Sequence, residues 1–279
     1  MPDDLKRVRI PDLKAKKLRG EKITMLTAYD ATMARLLDRA GIDMLLVGDS
    51  LGMVIMGHET TLPVTLEAML HHTRSVSHGA SRALVVADMP FLTYQVSVPE
   101  AVRNAGRLLQ EGGAAAVKIE GGRAVVDVAH RLVDIGVPVM GHLGLIPQSV
   151  HQLGGFRPAA RMEGEATALL EDARALENAG VFAIVLERVP PEVAQRVTAE
   201  LAVPTIGIGA GADCDGQVLV SYDAFGIYDE FVPPFVKQYL RIGDMIIDAA
   251  KEFIDDVQLG RFPTPEHALS RIRAKSSLK

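Results

Sequence analysis

Six residues hold most of the chemistry this sequence offers: Asp49, Asp88, Lys118, Glu120, His142 and Glu187. They lie at or just beyond the ends of short apolar runs, in LLVGDS, LVVADMP, AAVKIEGG, PVMGH and FAIVLERVP. Charged groups in apolar strands are costly to bury unless they are paired, metal-bound or near an open mouth. One such acid is explained as a cap for the next helix. Consecutive strands that all end in polar, mostly acidic groups are not. Asp49, Asp88 and Glu120, brought together, would repel one another. A hard divalent cation relieves that repulsion, and oxygen-only ligands point to Mg²⁺ or a similar ion, with water and substrate filling its shell.

The elements that must position these groups follow from hydrophobic patterning. Nearly all-apolar runs at 23–27, 44–48, 83–88, 116–120, 138–142, 182–187, 205–208 and 218–221 read as strands covered on both faces. Helical periodicity occupies 31–40, 66–78, 98–110, 125–134, 165–179 and 192–200. Gly41, Gly79, Gly112, Gly136 and Gly180 mark the helix ends, where a residue of positive φ is expected. Eight strands, most separated by a helix, predict an α/β protein of the (βα)8-barrel class; a doubly wound open sheet is the alternative. The pattern gives a single domain over 1–279. A basic N-terminal arm and helix lies within 1–20, a long terminal helix spans 233–256, and a solvated tail runs from 268 to 279. In such a barrel, chemistry gathers at the C-terminal ends of the strands.

Several motifs fail on inspection. Gly48-Asp49-Ser50-Leu51-Gly52 has the G-x-S-x-G spacing of a hydrolase nucleophile elbow, but that elbow opens directly into a helix. Here a loop is expected up to Thr65. His58-Glu59 starts like a zincin motif, yet Leu62 takes the second histidine's place. His71 and His72 sit mid-helix as surface or interface residues. The glycine-rich stretch 207–211 is compatible with a phosphate loop or with close backbone packing. Asp213 and Asp215 read as turn residues, and Cys214 as structural.

Composition narrows the class. The chain has 279 residues, 48% hydrophobic and 23% charged, with a formal net charge of −5. With no basic surplus, no Trp and few aromatics, a nucleic-acid footprint is not expected. A single cysteine excludes a disulfide framework. The N-terminus lacks the apolar region of a secretory signal, and no apolar run is long enough to cross a bilayer. A cytoplasmic enzyme without membrane association is the expectation.

The strand-end phrases also resemble a known family. LTAYD (26–30), VGDSLGMV (47–54), GHETTLPVT (57–65), ADMPF (87–91), KIEGG (118–122), GHLGLIPQS (141–149), LERVP (186–190), IGIGAGADCDGQVLV (206–220) and FPTPEH (262–267) are similar to ketopantoate hydroxymethyltransferase in order and spacing. The resemblance implies a (βα)8 barrel with one Mg²⁺ per subunit. Its hydroxymethyl donor would be methylenetetrahydrofolate and its acceptor 3-methyl-2-oxobutanoate. It further implies Asp49 and Asp88 as metal ligands, with Glu120 completing the acidic set. Ser50 and Lys118 join Asp49 and Asp88 in binding the oxo acid, and Glu187 is the proton acceptor. Tyr29 and His142 match positions close to the substrate, and a homo-oligomer, a decamer, is implied. Two residues depart from the pattern: Ile146 stands where Thr is usual, and Arg188 where Cys is common. A related Mg²⁺-dependent barrel lyase or mutase is the nearest rival, although it would be expected to use a reactive cysteine. A non-catalytic scaffold barrel is the more distant one.

Overall fold

The computed structural model describes residues 6–155 and 158–268. Eight parallel strands close into a barrel in sequence order. They are β1 (Ile23–Thr27), β2 (Met44–Val47), β3 (Leu84–Asp88), β4 (Ala116–Glu120), β5 (Val139–Gly144), β6 (Ala183–Glu187), β7 (Thr205–Ile208) and β8 (Gly216–Leu219). The helices are α1 (Ile10–Arg19), α2 (Ala31–Ala40), α3 (Leu51–Val54), α4 (Leu66–Gly79), α5 (Val98–Gln110), α6 (Val126–Asp134), α7 (Val150–Leu153), α8 (Glu163–Asn178), α9 (Pro191–Glu200), α10 (Ser221–Ala224) and α11 (Ile242–Gln258). The (βα)8 expectation therefore holds and the open sheet is excluded. Two compact units are present: Met1–Ser221 with Pro233–Val236, and Tyr222–Val232 with Lys237–Lys279, each as far as it is described. The tail expected at 268–279 lies, beyond Ala268, outside the described residues.

Side chains along a strand alternate between faces, and that period of two connects core to site. Leu84 and Val86, Ala116, Met140, and Ala183 and Val185 all belong to the buried cluster that fills the barrel. Continuing the same parity reaches Asp88, Lys118 and Glu120, His142, and Glu187. The charged residues are thus the uppermost interior layer of the apolar stack. At the other end, Val8 and Leu13 join the core cluster, and α1 is tied down by ion pairs from Lys16 to Asp43 and from Lys17 to Asp215, each 2.7 Å long.

Several sequence expectations need correction. Gly79 and Gly112 are not left-handed helix stops; Gly41, Gly136, Gly180 and the neighbouring Gly113 are. A Cβ at Gly79 would lie 2.3 Å from the Ala31 carbonyl oxygen, so this glycine lets α2 and α4 pack closely. Strand β8 begins at Gly216, two residues earlier than expected, because a Cβ there would sit 2.5 Å from the Ile23 carbonyl oxygen of the adjoining strand. The terminal helix starts at Ile242 rather than Pro233. The preceding chain instead turns back, with Tyr239 N donating to Ala224 O, and the first residues of α11 continue the contact, Ile242 N donating to Phe225 O and Gly243 N to Gly226 O. No residue of α11 is buried, so its apolar Ile246, Ile247 and Phe253 are exposed. No helix among the described residues is long and apolar enough to cross a membrane.

Candidate active site

The acidic groups are gathered by backbone as much as by side chains. Strand β2 ends at Val47, and Gly48 follows, where a Cβ would stand 2.7 Å from Ser50 Oγ. Its absence lets the chain curl so that Asp49 N donates to Asp88 Oδ2 at 3.1 Å. Register then fixes the rest: Asp88 pairs with Lys118, Glu120 with His142, and Gly144 with Glu187. Gly144 has φ 97°, and a Cβ on it would fall 2.2 Å from the Glu187 carbonyl oxygen. Glycine is required there for β6 to bring Glu187 to the mouth.

Lys118 Nζ lies 3.1 Å from Asp88 Oδ1 and 3.2 Å from His142 Nδ1. His142 bridges the two sides of the layer: Nδ1 is 3.3 Å from Glu120 Oε1, and Nε2 is 3.1 Å from Glu187 Oε2. Asp88 Oδ1 and His142 Nε2 nevertheless lack an aligned hydrogen bond. Asp49, Asp88, Lys118, Glu120 and His142 are all buried. Ser50 Oγ is 2.8 Å from the Tyr29 hydroxyl, so the two remaining predicted residues meet at the same rim.

The electrostatics follow from that crowding. Burial, then the charges of Asp88 and Glu120, push Asp49 up to about 8. Burial also raises Asp88, against the pull of Lys118. For Glu120, burial is outweighed by His142, Lys118 and the Gln148 amide, and its carboxyl is held below its ordinary range. Burial and Lys118 press His142 down, but its carboxylate partners win and raise it to about 9. Lys118 is kept charged by Asp88, Glu120 and Asp49 in spite of burial.

Four carboxylates (Asp49, Asp88, Glu120 and Glu187) therefore face two cations, Lys118 and protonated His142. Ionising all four carboxylates together would leave the layer short of two positive charges, which a divalent cation supplies. Among the described residues, no three His, Cys, Asp or Glu side chains converge tightly enough to cage an ion by themselves. The donor set thus fits an open site, in which one or two carboxylates hold a cation whose remaining positions go to water and substrate.

Sequence reading missed two residues. Gln148 is buried; its backbone N donates to Glu120 Oε2 at 2.9 Å and its Nε2 to Asp49 Oδ2 at 2.9 Å. Tyr94 supports it, its hydroxyl 2.7 Å from Gln148 Oε1 and accepting from Glu120 N at 3.1 Å. Gln148 stood inside the GHLGLIPQS phrase, which was a usable signal; Tyr94 had none. The hydrolase elbow also needs revision. A short helix, α3, does follow Ser50 directly, contrary to the expected loop. Yet Ser50 has φ −52° and ψ −19°, ordinary helical values, and its hydroxyl neighbour is Tyr29 rather than a histidine. The strained turn that exposes a nucleophile is missing.

Glycines of the 207–211 stretch serve packing. A Cβ at Gly209 would meet the Phe235 ring at 2.9 Å, and one at Gly211 would meet Pro191 at 2.8 Å. Cys214 is buried at the barrel's lower end, where Lys22 Nζ reaches its carbonyl oxygen. Asp215 is more than a turn residue: it accepts from Lys17 Nζ at 2.7 Å and from Thr205 N at 2.8 Å.

Fold and site together define a (βα)8-barrel enzyme with a buried acidic centre and a separate carboxylate at the mouth. The profile of the ketopantoate hydroxymethyltransferase family matches residues 7–265, and the chain belongs to that family. It is 58% identical over 262 residues to a 3-methyl-2-oxobutanoate hydroxymethyltransferase of Moorella thermoacetica, covering 94% of this chain and 97% of that protein. A protein of the same description from Pelobacter propionicus is 51% identical over 97% of this chain and all of its own length. Among solved structures, a phosphonopyruvate hydrolase complex with oxalate and Mg²⁺ matches with a TM-score of 0.61 at 12% identity, covering 95% of this chain and 92% of that one. A 2,3-dimethylmalate lyase of the PEP mutase/isocitrate lyase superfamily matches at 0.56 and 17%, covering 92% of each chain. These two share the barrel fold.

Proposed function

We propose that the protein transfers a hydroxymethyl group from methylenetetrahydrofolate to 3-methyl-2-oxobutanoate, giving 2-dehydropantoate. The observation that carries this is the layer itself: a buried acidic group paired to Lys118, with Glu187 held apart by His142, in a chain of this family. Asp49 and Asp88 would hold Mg²⁺, and Glu120 would support them through Gln148, which bridges it to Asp49. When bound, that ion supplies Lewis-acid stabilisation for the negative charge that grows on the oxo acid during deprotonation.

Lys118 and Ser50 bind the oxo acid, with Lys118 offering charge to its carboxylate and Tyr29 orienting the Ser50 hydroxyl. Glu187 takes the proton from the tertiary carbon next to the keto group. His142 Nε2, 3.1 Å from Glu187 Oε2, holds that carboxylate aimed until the transfer. The C–H electron pair forms the new C–C bond to the methylene carbon. Water supplies the hydroxyl oxygen as that carbon's two C–N bonds break, and the proton taken by Glu187, with one from the water, goes to the two nitrogens of the departing tetrahydrofolate.

The lyase reading would need a thiol at the mouth, and the chain's one cysteine is buried at the opposite end. A cytoplasmic homo-oligomer belongs to the same proposal, and the exposed apolar residues of α11 are the natural contact element. The test is an assay with 3-methyl-2-oxobutanoate, with and without methylenetetrahydrofolate and Mg²⁺, followed by product identification. 2-Dehydropantoate formed only with all three supports the reading; cleavage of the oxo acid, or no reaction, overturns it.

A further inference from the structure

Beside Glu187 at the mouth, a cavity of about 420 Å³ opens between the ends of β6 and β7. Its size falls within the ~300–1,000 Å³ usual for small-molecule sites. Arg161, Arg188, Pro190, Pro191, Pro234 and Phe235 are among its lining residues. The chemistry divides cleanly. Among the described lining residues, Arg161 and Arg188 are the charged ones, none is a carboxylate, and flat apolar surfaces come from the prolines and Phe235. Arginine forks bind carboxylates with two parallel hydrogen bonds, which a lysine does not reproduce.

The backbone shows that this wall is held in place. Arg188 has φ 48° and Ala160 φ 56°, two of the three described non-glycine residues in the left-handed region. Such positions cost energy and persist where surrounding contacts fix them, often at ligand-binding sites. Here Arg188 N donates to Ile208 O at 2.9 Å, and Ala159 N donates to Arg188 O at 3.1 Å. Those bonds join the 158–161 loop, β6 and β7 into one rim. The Phe235 ring rests on Gly209 and Pro191 on Gly211, at distances that only glycine permits. Arg188 follows Glu187 directly, so a ligand seated here lies beside the reacting centre without entering the acidic layer.

We propose that this cavity binds the aryl-carboxylate tail of the reduced-folate co-substrate. The aromatic amide lies against Phe235 and the prolines, and the glutamyl carboxylates pair with Arg161 and Arg188. This rests on the function proposed above and adds the subsite for its donor.

The probe is p-aminobenzoylglutamate, a folate tail without the one-carbon unit, titrated into the full-length protein by calorimetry. Arg188→Gly removes the side chain while suiting the left-handed backbone, Arg161→Gln removes the second charge, and Arg188→Lys keeps charge without the fork. The expected result is specific binding to the wild type, weakened roughly tenfold or more by either Arg188→Gly or Arg161→Gln and only partly retained in Arg188→Lys. Equal affinity in all four proteins, or no binding to the wild type, overturns the inference. Proton exchange on 3-methyl-2-oxobutanoate without folate separates the two claims. Exchange without arginine-dependent probe binding leaves the proposed function standing and removes this subsite. Arginine-dependent binding without exchange or transfer leaves the subsite standing and removes that function.

Discussion

Carboxylates close both ends of this barrel, and the two ends treat them in opposite ways. At the lower end, Asp43 and Asp215 immediately precede β2 and β8. Asp43 accepts from Lys16 Nζ at 2.7 Å and from Thr24 N at 2.9 Å, and Asp215 from Lys17 Nζ at 2.7 Å and Thr205 N at 2.8 Å. Asp38, below β3, accepts from Ser81 Oγ at 2.7 Å and Ala83 N at 2.6 Å. Despite some burial, these bonds hold its carboxyl below the ordinary range. At the mouth, Asp49 and Asp88 are raised instead. One end uses acids to fasten α1 and the strand starts. The other leaves them buried and underpaired, at a cost in stability. Residue type is shared; the partners decide the role.

The comparison is most easily broken at Glu187. Glu187→Gln should lower the turnover of hydroxymethyl transfer by about 10²–10⁴-fold, the range for loss of a general base, with an unchanged melting temperature. Near-wild-type turnover would place the base elsewhere. Asp49→Ala and Asp88→Ala should each weaken Mg²⁺ binding, measured calorimetrically, by more than the ~10–100-fold cost of losing a supporting partner. Unchanged affinity in both would remove the acidic layer from the metal role.

At the lower end the outcome should reverse. Lys16→Met leaves the buried Asp43 without its closest cation and should cost about 2 kcal/mol in denaturant unfolding, with turnover unaffected. A loss of turnover at full stability would dissolve the contrast between the ends. The smallest expected effect is a gain. Because folding raises Asp49, its contribution is fully present below the ordinary carboxylate range and is lost as pH rises toward about 8. Metal-free Asp49→Asn should therefore be more stable than the wild type at pH 8, by about 1 kcal/mol or more, and the difference should shrink toward pH 4. A wild type that gains stability over that interval relative to Asp49→Asn would reverse the sign assigned here.

Much of this was readable in the sequence, for a definite reason. A parallel strand buried on both faces must be apolar throughout, so Asp88, Lys118 and Glu120 stood out against their runs, and period-two alternation carried them into the barrel. What could not be read depends on contacts between distant segments. Gly79 and Gly112 look like helix stops; a side chain is excluded at Gly79 by the Ala31 carbonyl and at Gly112 by the Leu108 carbonyl and the Thr73 side chain. Tyr94 and Gln148 are polar residues in loops, and their importance comes from reaching Glu120 and Asp49 across the mouth. Ile242 begins α11 because Tyr239 just before it bonds back to Ala224, which helical periodicity over 233–256 does not reveal. The family resemblance supplied the oxo acid and folate; spacing alone gave the acidic cluster.

The central claim is that the buried acids and Glu187 divide the work, one side holding the cation and the other moving the proton. It is tested most directly by NMR of 3-methyl-2-oxobutanoate in D₂O, with Mg²⁺ and without folate. The wild type should exchange the hydrogen on the tertiary carbon only when Mg²⁺ is present, and Glu187→Gln should bind Mg²⁺ normally yet fail to exchange. Exchange at the wild-type rate in Glu187→Gln, or in the wild type without any divalent cation, would contradict the account.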